Sequence, residues 1–133
     1  MKKYYVETYG CQMNFYDSQL VDGLLEERGM QKVDRPEDSD IILLNTCSVR
    51  DKAEQRVRGR VNQLSGLRHG RAEGPLIGLL GCMAQRLGAE LLEGKRSHIN
   101  FVVGPDQYMK LPEIIARALE HESDLYFTDF DHA

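Results

Sequence analysis

Three cysteines, Cys11, Cys47 and Cys82, are the residues of this chain whose type and spacing could do chemistry. Each one ends a short apolar run, and steps of 36 and then 35 residues separate them along the chain. Such runs are typical of buried parallel strands, and the spacing suits strand–helix–strand units. Because ligands bind outside the carboxyl ends of parallel strands, we expect the three thiols to converge there. Soft thiolate ligands in one place predict a bound metal ion or cluster.

The cysteines also admit a structural interpretation. A buried cysteine behaves as a small apolar side chain, and a single cysteine near a strand end is structural in most proteins. The odd number argues against a closed disulfide framework and leaves one coordination position without a protein thiolate. All three thiols occupy equivalent positions at strand ends, which favours the metal site over the structural interpretation.

Composition places the chain among globular domains of ordinary size. Its 133 residues suffice for one domain with a core, and 41% of them are hydrophobic and 29% charged. No apolar run reaches the length of a membrane span, and Met1 to Lys3 lead directly into a predicted strand. We therefore expect a cytoplasmic protein without membrane contact. We also expect a monomer. The net charge of −4 argues against nucleic-acid binding by the domain taken alone.

The order of predicted elements indicates an α/β fold. Strands are predicted at Lys3–Tyr9, Met30–Val33, Ile41–Asn45, Leu76–Leu80 and Phe101–Val103. They fit a flavodoxin-like three-layer sandwich, with about five mainly parallel strands in the order 2-1-3-4-5. The three cysteine-bearing strands are then neighbours, and their ends span only about 10 Å. Residues 1–121 form the predicted domain and 122–133 a tail or linker, in which Leu125–Phe127 is either an edge strand or part of the tail.

Four helices are predicted between or after these strands. They run from Asn14, a suitable N-cap, to Arg28, from Val49 to Leu67, from about Cys82 to Leu92 and from Tyr108 to Leu119. Apolar residues recur at helical spacing in three of them, and we expect these to pack on the sheet: Tyr16, Leu20, Val21, Leu24 and Leu25; Val49, Ala53, Val57, Val61 and Leu64; Leu111, Ile114, Ile115, Ala118 and Leu119.

A row of basic residues follows another face of the second helix. Lys52, Arg56 and Arg60 are spaced four residues apart, so their charges repel one another on an isolated helix. This face must therefore meet an anion, a carboxylate or solvent. It is either a solvated surface or a contact face for RNA or a partner domain.

Three motifs carry a family resemblance. Glu7 to Asn14 (ETYGCQMN), Asn45 to Arg50 (NTCSVR) and Gly81 to Arg86 (GCMAQR) resemble the amino-terminal domain of the radical-SAM methylthiotransferases, most closely its MiaB-like, tRNA-modifying branch. The resemblance covers essentially the whole chain. It implies that Cys11, Cys47 and Cys82 hold an auxiliary 4Fe–4S cluster through three irons, with the fourth iron open. The implied reaction adds a methylthio group to C2 of an isopentenylated adenosine next to the anticodon.

The resemblance also implies further domains and cofactors for which this chain has no residues. A second 4Fe–4S cluster and S-adenosylmethionine would act in a radical-SAM domain with a Cys-x-x-x-Cys-x-x-Cys motif, and a small RNA-binding domain would follow. The chain has no second cysteine triplet. We therefore expect a domain separated from a longer tRNA-modifying enzyme, inactive alone and without a catalytic residue of its own.

Polar residues near the cysteines are candidates for tuning the cluster. Gln12, Asn14, Asn45, Thr46 and Ser48 could supply side-chain or backbone donors to the sulfurs. For Asn14 and Asn45, helix capping and turn formation are equally suitable roles. Gly10 and Gly81 would let the backbone approach the cluster closely.

Two alternative functions remain. The ribosomal-protein methylthiotransferases share the three-cysteine domain, but they usually have Pro-Lys-Asn and Gly-Phe-Ile where this chain has Gln12-Met13-Asn14 and Ser48-Val49-Arg50. A non-catalytic flavodoxin-like or receiver-like interaction module would have cysteines that are merely buried. It predicts that replacing all three by alanine removes no metal-dependent property.

Overall fold

Six parallel strands form one sheet in the order β2-β1-β3-β4-β5-β6. A computed structural model describes residues 2–9, 12–46, 51–68, 75–81, 99–120 and 125–127. For residues 12–15, 17, 51–54, 68, 105, 106 and 125–127 it describes the backbone only. The strands are β1 (Lys3–Thr8), β2 (Gln31–Lys32), β3 (Ile41–Thr46), β4 (Leu76–Gly81), β5 (Phe101–Val103) and β6 (Leu125–Phe127).

This topology confirms the predicted flavodoxin-like fold. The first five strands follow the order 2-1-3-4-5, so β1, β3 and β4 are immediate neighbours. Leu125–Phe127 is an edge strand, because it pairs with β5. The division at residue 121 stays a prediction, and β6 lies within the range assigned to the tail.

Helices cover both faces of the sheet. On one face α1 (Gln12–Glu27) and α3 (Leu111–Leu119) pack on alternate strand residues such as Ile41 and Leu43. On the other face α2 (Asp51–Ser65) packs on Ile42 and Leu44. Every residue of β3 is buried, which explains the continuous apolar run from Ile41 to Leu44. None of the helices in the part of the chain described here is long and apolar enough to cross a membrane.

The predicted core face of α1 is wrong at two positions. Tyr16 is 72% exposed and Leu20 46% exposed, whereas Val21 and Leu25 are fully buried. With about 3.6 residues per turn, Ser18, Val21 and Leu25 share one side of the helix and Tyr16 lies opposite them. The helix also begins at Gln12, so Asn14 lies inside its first turn and is not the N-cap.

The other helical predictions are confirmed where the structure describes them. Val57, Val61 and Leu64 form the buried face of α2. The side chains of Val49 and Ala53 lie outside the described residues. The last helix is preceded by a 3-10 segment, Pro105–Lys110. Its predicted apolar face is buried at Leu111, Ile114, Ile115 and Ala118, and Leu119 is half-buried. The helix predicted after Cys82 also lies outside the described residues.

Candidate functional site

The carboxyl ends of β1, β3 and β4 lie in register. Thr8 is paired with Asn45 and Asn45 with Leu80, and the next pair is Thr46 with Gly81. The backbone N–H of Tyr9 donates to the carbonyl oxygen of Asn45 at 2.8 Å, which extends the pairing one residue beyond β1. Since neighbouring strands are about 4.8 Å apart, the three ends form one narrow ledge at the edge of the sheet.

All three cysteines follow this ledge directly in the sequence. Cys47 comes after Thr46, Cys82 after Gly81, and Cys11 two residues after Tyr9. The cysteines, Ser48 and the side chains of Gln12, Asn14 and Lys52 lie outside the described residues, so their predicted roles stay predictions. Within the described ranges, no group of three or more His, Cys, Asp or Glu side chains is placed to hold a metal ion.

The ends of β3 and β4 are in direct contact through Thr46. The Thr46 hydroxyl donates to the Leu80 carbonyl oxygen at 2.6 Å. Gly81 has φ +97°, and a Cβ at this position would collide with the Thr46 carbonyl oxygen. Only glycine adopts this backbone conformation readily. The residue before Cys82 is therefore specified by the path of the backbone beside Thr46. The approach of the backbone to a cluster at Gly81 stays a prediction, and Gly10 lies outside the described residues.

A set of polar side chains, all buried except the half-buried Thr8, fixes the ledge on the α1 side. We call Thr8, Ser18, Asn45 and Tyr108 the Asn45 network. The Thr8 and Ser18 hydroxyls share a hydrogen bond of 2.7 Å, and the amide nitrogen of Asn45 donates to Ser18 Oγ at 2.9 Å. The Tyr108 hydroxyl donates to Asn45 Oδ1 at 3.4 Å. These contacts tie β1, β3, α1 and the segment before α3 to one buried amide.

Ser18→Ala tests the Asn45 network. The substitution removes one hydrogen-bond partner from the half-buried Thr8 and one from the buried Asn45. We therefore expect the free energy of unfolding to fall by about 1–3 kcal/mol. Urea denaturation of the chain measures this change. Ser65→Ala is the matched control, because the Ser65 hydroxyl bonds the Asn62 carbonyl oxygen at the exposed end of α2. An equal, small effect of both substitutions would contradict the role of Ser18.

A second group of side chains holds β1 from the opposite face. We call Tyr5, Glu7, Tyr9 and Arg60 the Glu7 cluster. The Arg60 guanidinium donates to Glu7 through Nε at 3.1 and 2.9 Å and through a terminal nitrogen at 2.8 Å. The Tyr5 hydroxyl donates to the same carboxylate at 2.9 Å, and the Tyr9 hydroxyl donates to its other oxygen.

The Glu7 carboxylate is ionised in the fold for a specific reason. Burial alone would raise the pKa of Glu7, but hydrogen bonds from Arg60, Tyr9 and Tyr5 outweigh it and hold the pKa below its usual value. Burial, followed by the contact with this carboxylate, raises the pKa of both phenols. The hydrogen bond to Glu7 raises the pKa of Arg60. Both tyrosines thus remain protonated donors at neutral pH.

Glu7→Gln is expected to change the pH dependence of stability. Since the folded pKa of Glu7 lies below its unfolded value of about 4.5, the stabilisation is complete above that unfolded value and disappears as pH falls through the folded pKa. At neutral pH the loss of charge-assisted hydrogen bonds should cost about 1–3 kcal/mol.

Denaturation curves at several pH values measure the difference between Glu7→Gln and the unchanged chain. It should be greatest near neutrality and shrink below the unfolded pKa. The matched control is Glu37→Gln, which removes an exposed partner of Arg35 and should matter little. A difference that is independent of pH would contradict the account of Glu7.

Arg56 and Arg60, two residues of the predicted basic row, have different surroundings in the structure. Arg60 meets the Glu7 carboxylate, which is one of the three environments that the sequence allowed, and also donates to Gln63 Oε1 at 3.2 Å. Arg56 is exposed, and the side chain of Lys52 lies outside the described residues. A role in RNA or domain contact stays a prediction for each residue of the row.

Comparison with known proteins places these motifs in a family context. The sequence matches the model of the Uncharacterized protein family UPF0004 over residues 3–104. Relatives named tRNA-2-methylthio-N(6)-dimethylallyladenosine synthase occur in Dictyoglomus thermophilum, at 50% identity over 86% of this chain, and in Amoebophilus asiaticus, at 47% over 84%. A relative of the same name from Porphyromonas gingivalis is 43% identical over 91% of the chain. The matched regions cover 26%, 23% and 26% of these relatives, so the chain spans about a quarter of their length.

Proposed function

Since the chain belongs to the Uncharacterized protein family UPF0004, we propose that it is the cluster-binding amino-terminal domain of a tRNA-2-methylthio-N(6)-dimethylallyladenosine synthase. The observation that carries this proposal is the common register of the β1, β3 and β4 ends, each of which leads into one cysteine. The names of the relatives support the choice of tRNA as the substrate class.

The donor set fits an iron–sulfur cluster. Cysteine thiolates are the usual ligands of such clusters, and the three cysteines of the chain all follow the ledge formed by adjacent strand ends. Cys11, Cys47 and Cys82 would hold the 4Fe–4S cluster. When bound, a cluster with three protein thiolates offers one iron for an exchangeable ligand, which in this family would carry the sulfur to be inserted.

Hydrogen bonds among the described residues would hold the ends of β1, β3 and β4 in fixed positions, from which the three cysteines follow. The Asn45 network and the Glu7 cluster hold β1 from its two faces. The Thr46 hydroxyl and the backbone of Gly81 keep the ends of β3 and β4 together. The side chains of Asn45 and Thr46 both donate hydrogen bonds within the fold. A role as donors near the sulfurs stays a prediction for these two residues and for Gln12, Asn14 and Ser48.

The remaining parts of the reaction belong to the longer enzyme. A radical-SAM domain with its own 4Fe–4S cluster would use S-adenosylmethionine to generate the radical, and an RNA-binding domain would contribute to holding the tRNA. The chain spans about a quarter of its relatives, so we expect it to be inactive alone. The reducing cytoplasm would keep its thiols available as ligands.

Contact with RNA can be tested at Arg56, an exposed residue of the basic row. Arg56→Glu in the longer enzyme should weaken tRNA binding, because reversing a charge near phosphates reduces the electrostatic part of affinity. Filter binding at two salt concentrations measures this effect, and the variant should show the shallower salt dependence.

The matched control for Arg56 is Arg28→Glu. It makes the same change of charge at an exposed position just after α1, the helix that packs on the opposite face of the sheet from α2. Its tRNA affinity should stay close to that of the unchanged enzyme. Equal affinities for Arg56→Glu and the unchanged enzyme would assign Arg56 to solvent.

Anaerobic reconstitution with ferrous iron and sulfide tests the proposed function directly. We expect about four irons per chain and visible absorption typical of a cluster. The variant with Cys11, Cys47 and Cys82 all replaced by alanine is the control and should bind none. Equal iron content in both proteins, or none in either, would contradict cluster binding by this domain.

A further inference from the structure

In the part of the chain that the structure describes, the second half of β1 has fewer strand partners than β3 and β4 have. Among the described residues, β2 pairs with β1 only at Lys3 and Tyr4. From Tyr5 onward β1 pairs with β3 alone, whereas β3 and β4 have a neighbouring strand on each side. The second half of β1 is therefore an edge, and its position depends on side chains as well as on the sheet.

The Glu7 cluster attaches the second half of β1 to α2 through the contact between Glu7 and Arg60. Arg60 reaches both oxygens of Glu7 through two of its nitrogens, so the contact fixes direction as well as distance. Side-chain exposures of 18% for Glu7 and 30% for Arg60 show that the pair is shielded from much of the solvent. A lysine could retain the charge at position 60 but not the planar fork.

The same cluster joins two cysteine-bearing units. Glu7 lies four residues before Cys11, and Arg60 belongs to α2, the helix that begins four residues after Cys47. Tyr9, which also donates to Glu7, is two residues before Cys11. A contact separated by 53 residues in sequence thus links the β1 end to the helix that follows the β3 end.

We propose that Arg60, acting through Glu7 and Tyr9, is a positioning residue that sets the place of Cys11 relative to Cys47 and so determines how firmly the three thiolates hold iron. This inference rests on the proposed function. It assigns to Arg60 a role inside the domain, in place of contact with RNA. The bound group is the iron–sulfur cluster already proposed. What is new is that the Arg60 side chain governs how firmly the domain retains this cluster.

Arg60→Lys in the 133-residue chain tests the positioning role. After anaerobic reconstitution, iron loss to an excess of chelator is followed by visible absorption at a temperature where the metal-free variant remains folded. We expect Arg60→Lys to lose iron about tenfold faster than the unchanged chain, as for other residues that orient metal ligands. Arg35→Lys is the matched control, because Arg35 pairs with Glu37 on the exposed surface, and it should lose iron at the unchanged rate.

Equal loss rates for Arg60→Lys and Arg35→Lys would overturn the positioning role and leave Arg60 a purely structural residue. If the Arg60→Lys chain does not fold, Tyr9→Phe and Tyr5→Phe decide, since both remove one donor to Glu7. Positioning requires faster iron loss from Tyr9→Phe, the residue nearer to Cys11, and equal rates overturn it. Absence of cysteine-dependent iron from the unchanged chain would instead overturn the proposed function, and this inference with it.

Discussion

Cys47→Ala, introduced into an enzyme that carries this domain together with its catalytic remainder, should abolish methylthiolation of tRNA while radical generation continues. Cys47 follows the central strand of the three, whose end is paired on both sides at Asn45. Two remaining thiolates cannot hold a cuboidal cluster in the proposed way. We expect at least about a 100-fold loss of methylthiolation, since even residues that only orient metal ligands cost up to that much.

Two assays on the same preparation separate the functions. Mass spectrometry of tRNA nucleosides measures the methylthiolated product, and formation of 5′-deoxyadenosine measures radical generation. The control is Ser65→Ala, which changes a polar residue far along α2 and should leave both products unchanged. Retained methylthiolation in Cys47→Ala would contradict the assignment of Cys47 as a ligand.

The topology could be predicted from sequence because two strong signals agree. Continuous apolar runs mark strands buried on both faces, and the interval between cysteines has room for one helix in each crossover. These features predict parallel strands joined by helices. The fit of the five predicted strands to the flavodoxin-like order 2-1-3-4-5 then places β1, β3 and β4 side by side, as the structure confirms. The positions of the cysteine side chains themselves stay predictions.

The side-chain networks could not be predicted, since each depends on residues far apart in sequence. Nothing near Arg60 in the chain indicates that its partner is Glu7, and Ser18 joins Asn45 across 27 residues. A local signal for Ser18 did exist, because it falls on the same helical face as Val21 and Leu25. Periodicity based on apolar residues alone instead assigned Tyr16 to the core, although it is exposed.

Gly81→Ala is expected to be the most destabilising of three substitutions, at Gly81, Gly29 and Gly59. These glycines differ in whether φ is positive and in whether an added Cβ would collide with a neighbour. At Gly81 the backbone has φ +97°, which costs a non-glycine residue about 1–2 kcal/mol. The added methyl group would also collide with the Thr46 carbonyl oxygen, a backbone atom that cannot move without separating β3 from β4. We therefore expect a total loss of about 3 kcal/mol or more, a large part of the stability of an ordinary domain.

Gly29→Ala and Gly59→Ala distinguish the two causes. Gly29 also has a positive φ, +83°, but an added Cβ would meet nothing within 4 Å, so only the conformational cost of about 1–2 kcal/mol applies. Gly59 lies within α2 with open space around it, and alanine should stabilise the helix there by up to about 1 kcal/mol.

Urea denaturation of the three variants gives the ranking. If Gly81→Ala costs no more than Gly29→Ala, the contact between Thr46 and Gly81 is not rigid. The ends of β3 and β4 could then separate without penalty, and the ledge would not be a fixed framework for Cys47 and Cys82. A larger cost at Gly81, accompanied by faster iron loss after reconstitution, would instead tie the backbone before Cys82 to the retention of the cluster.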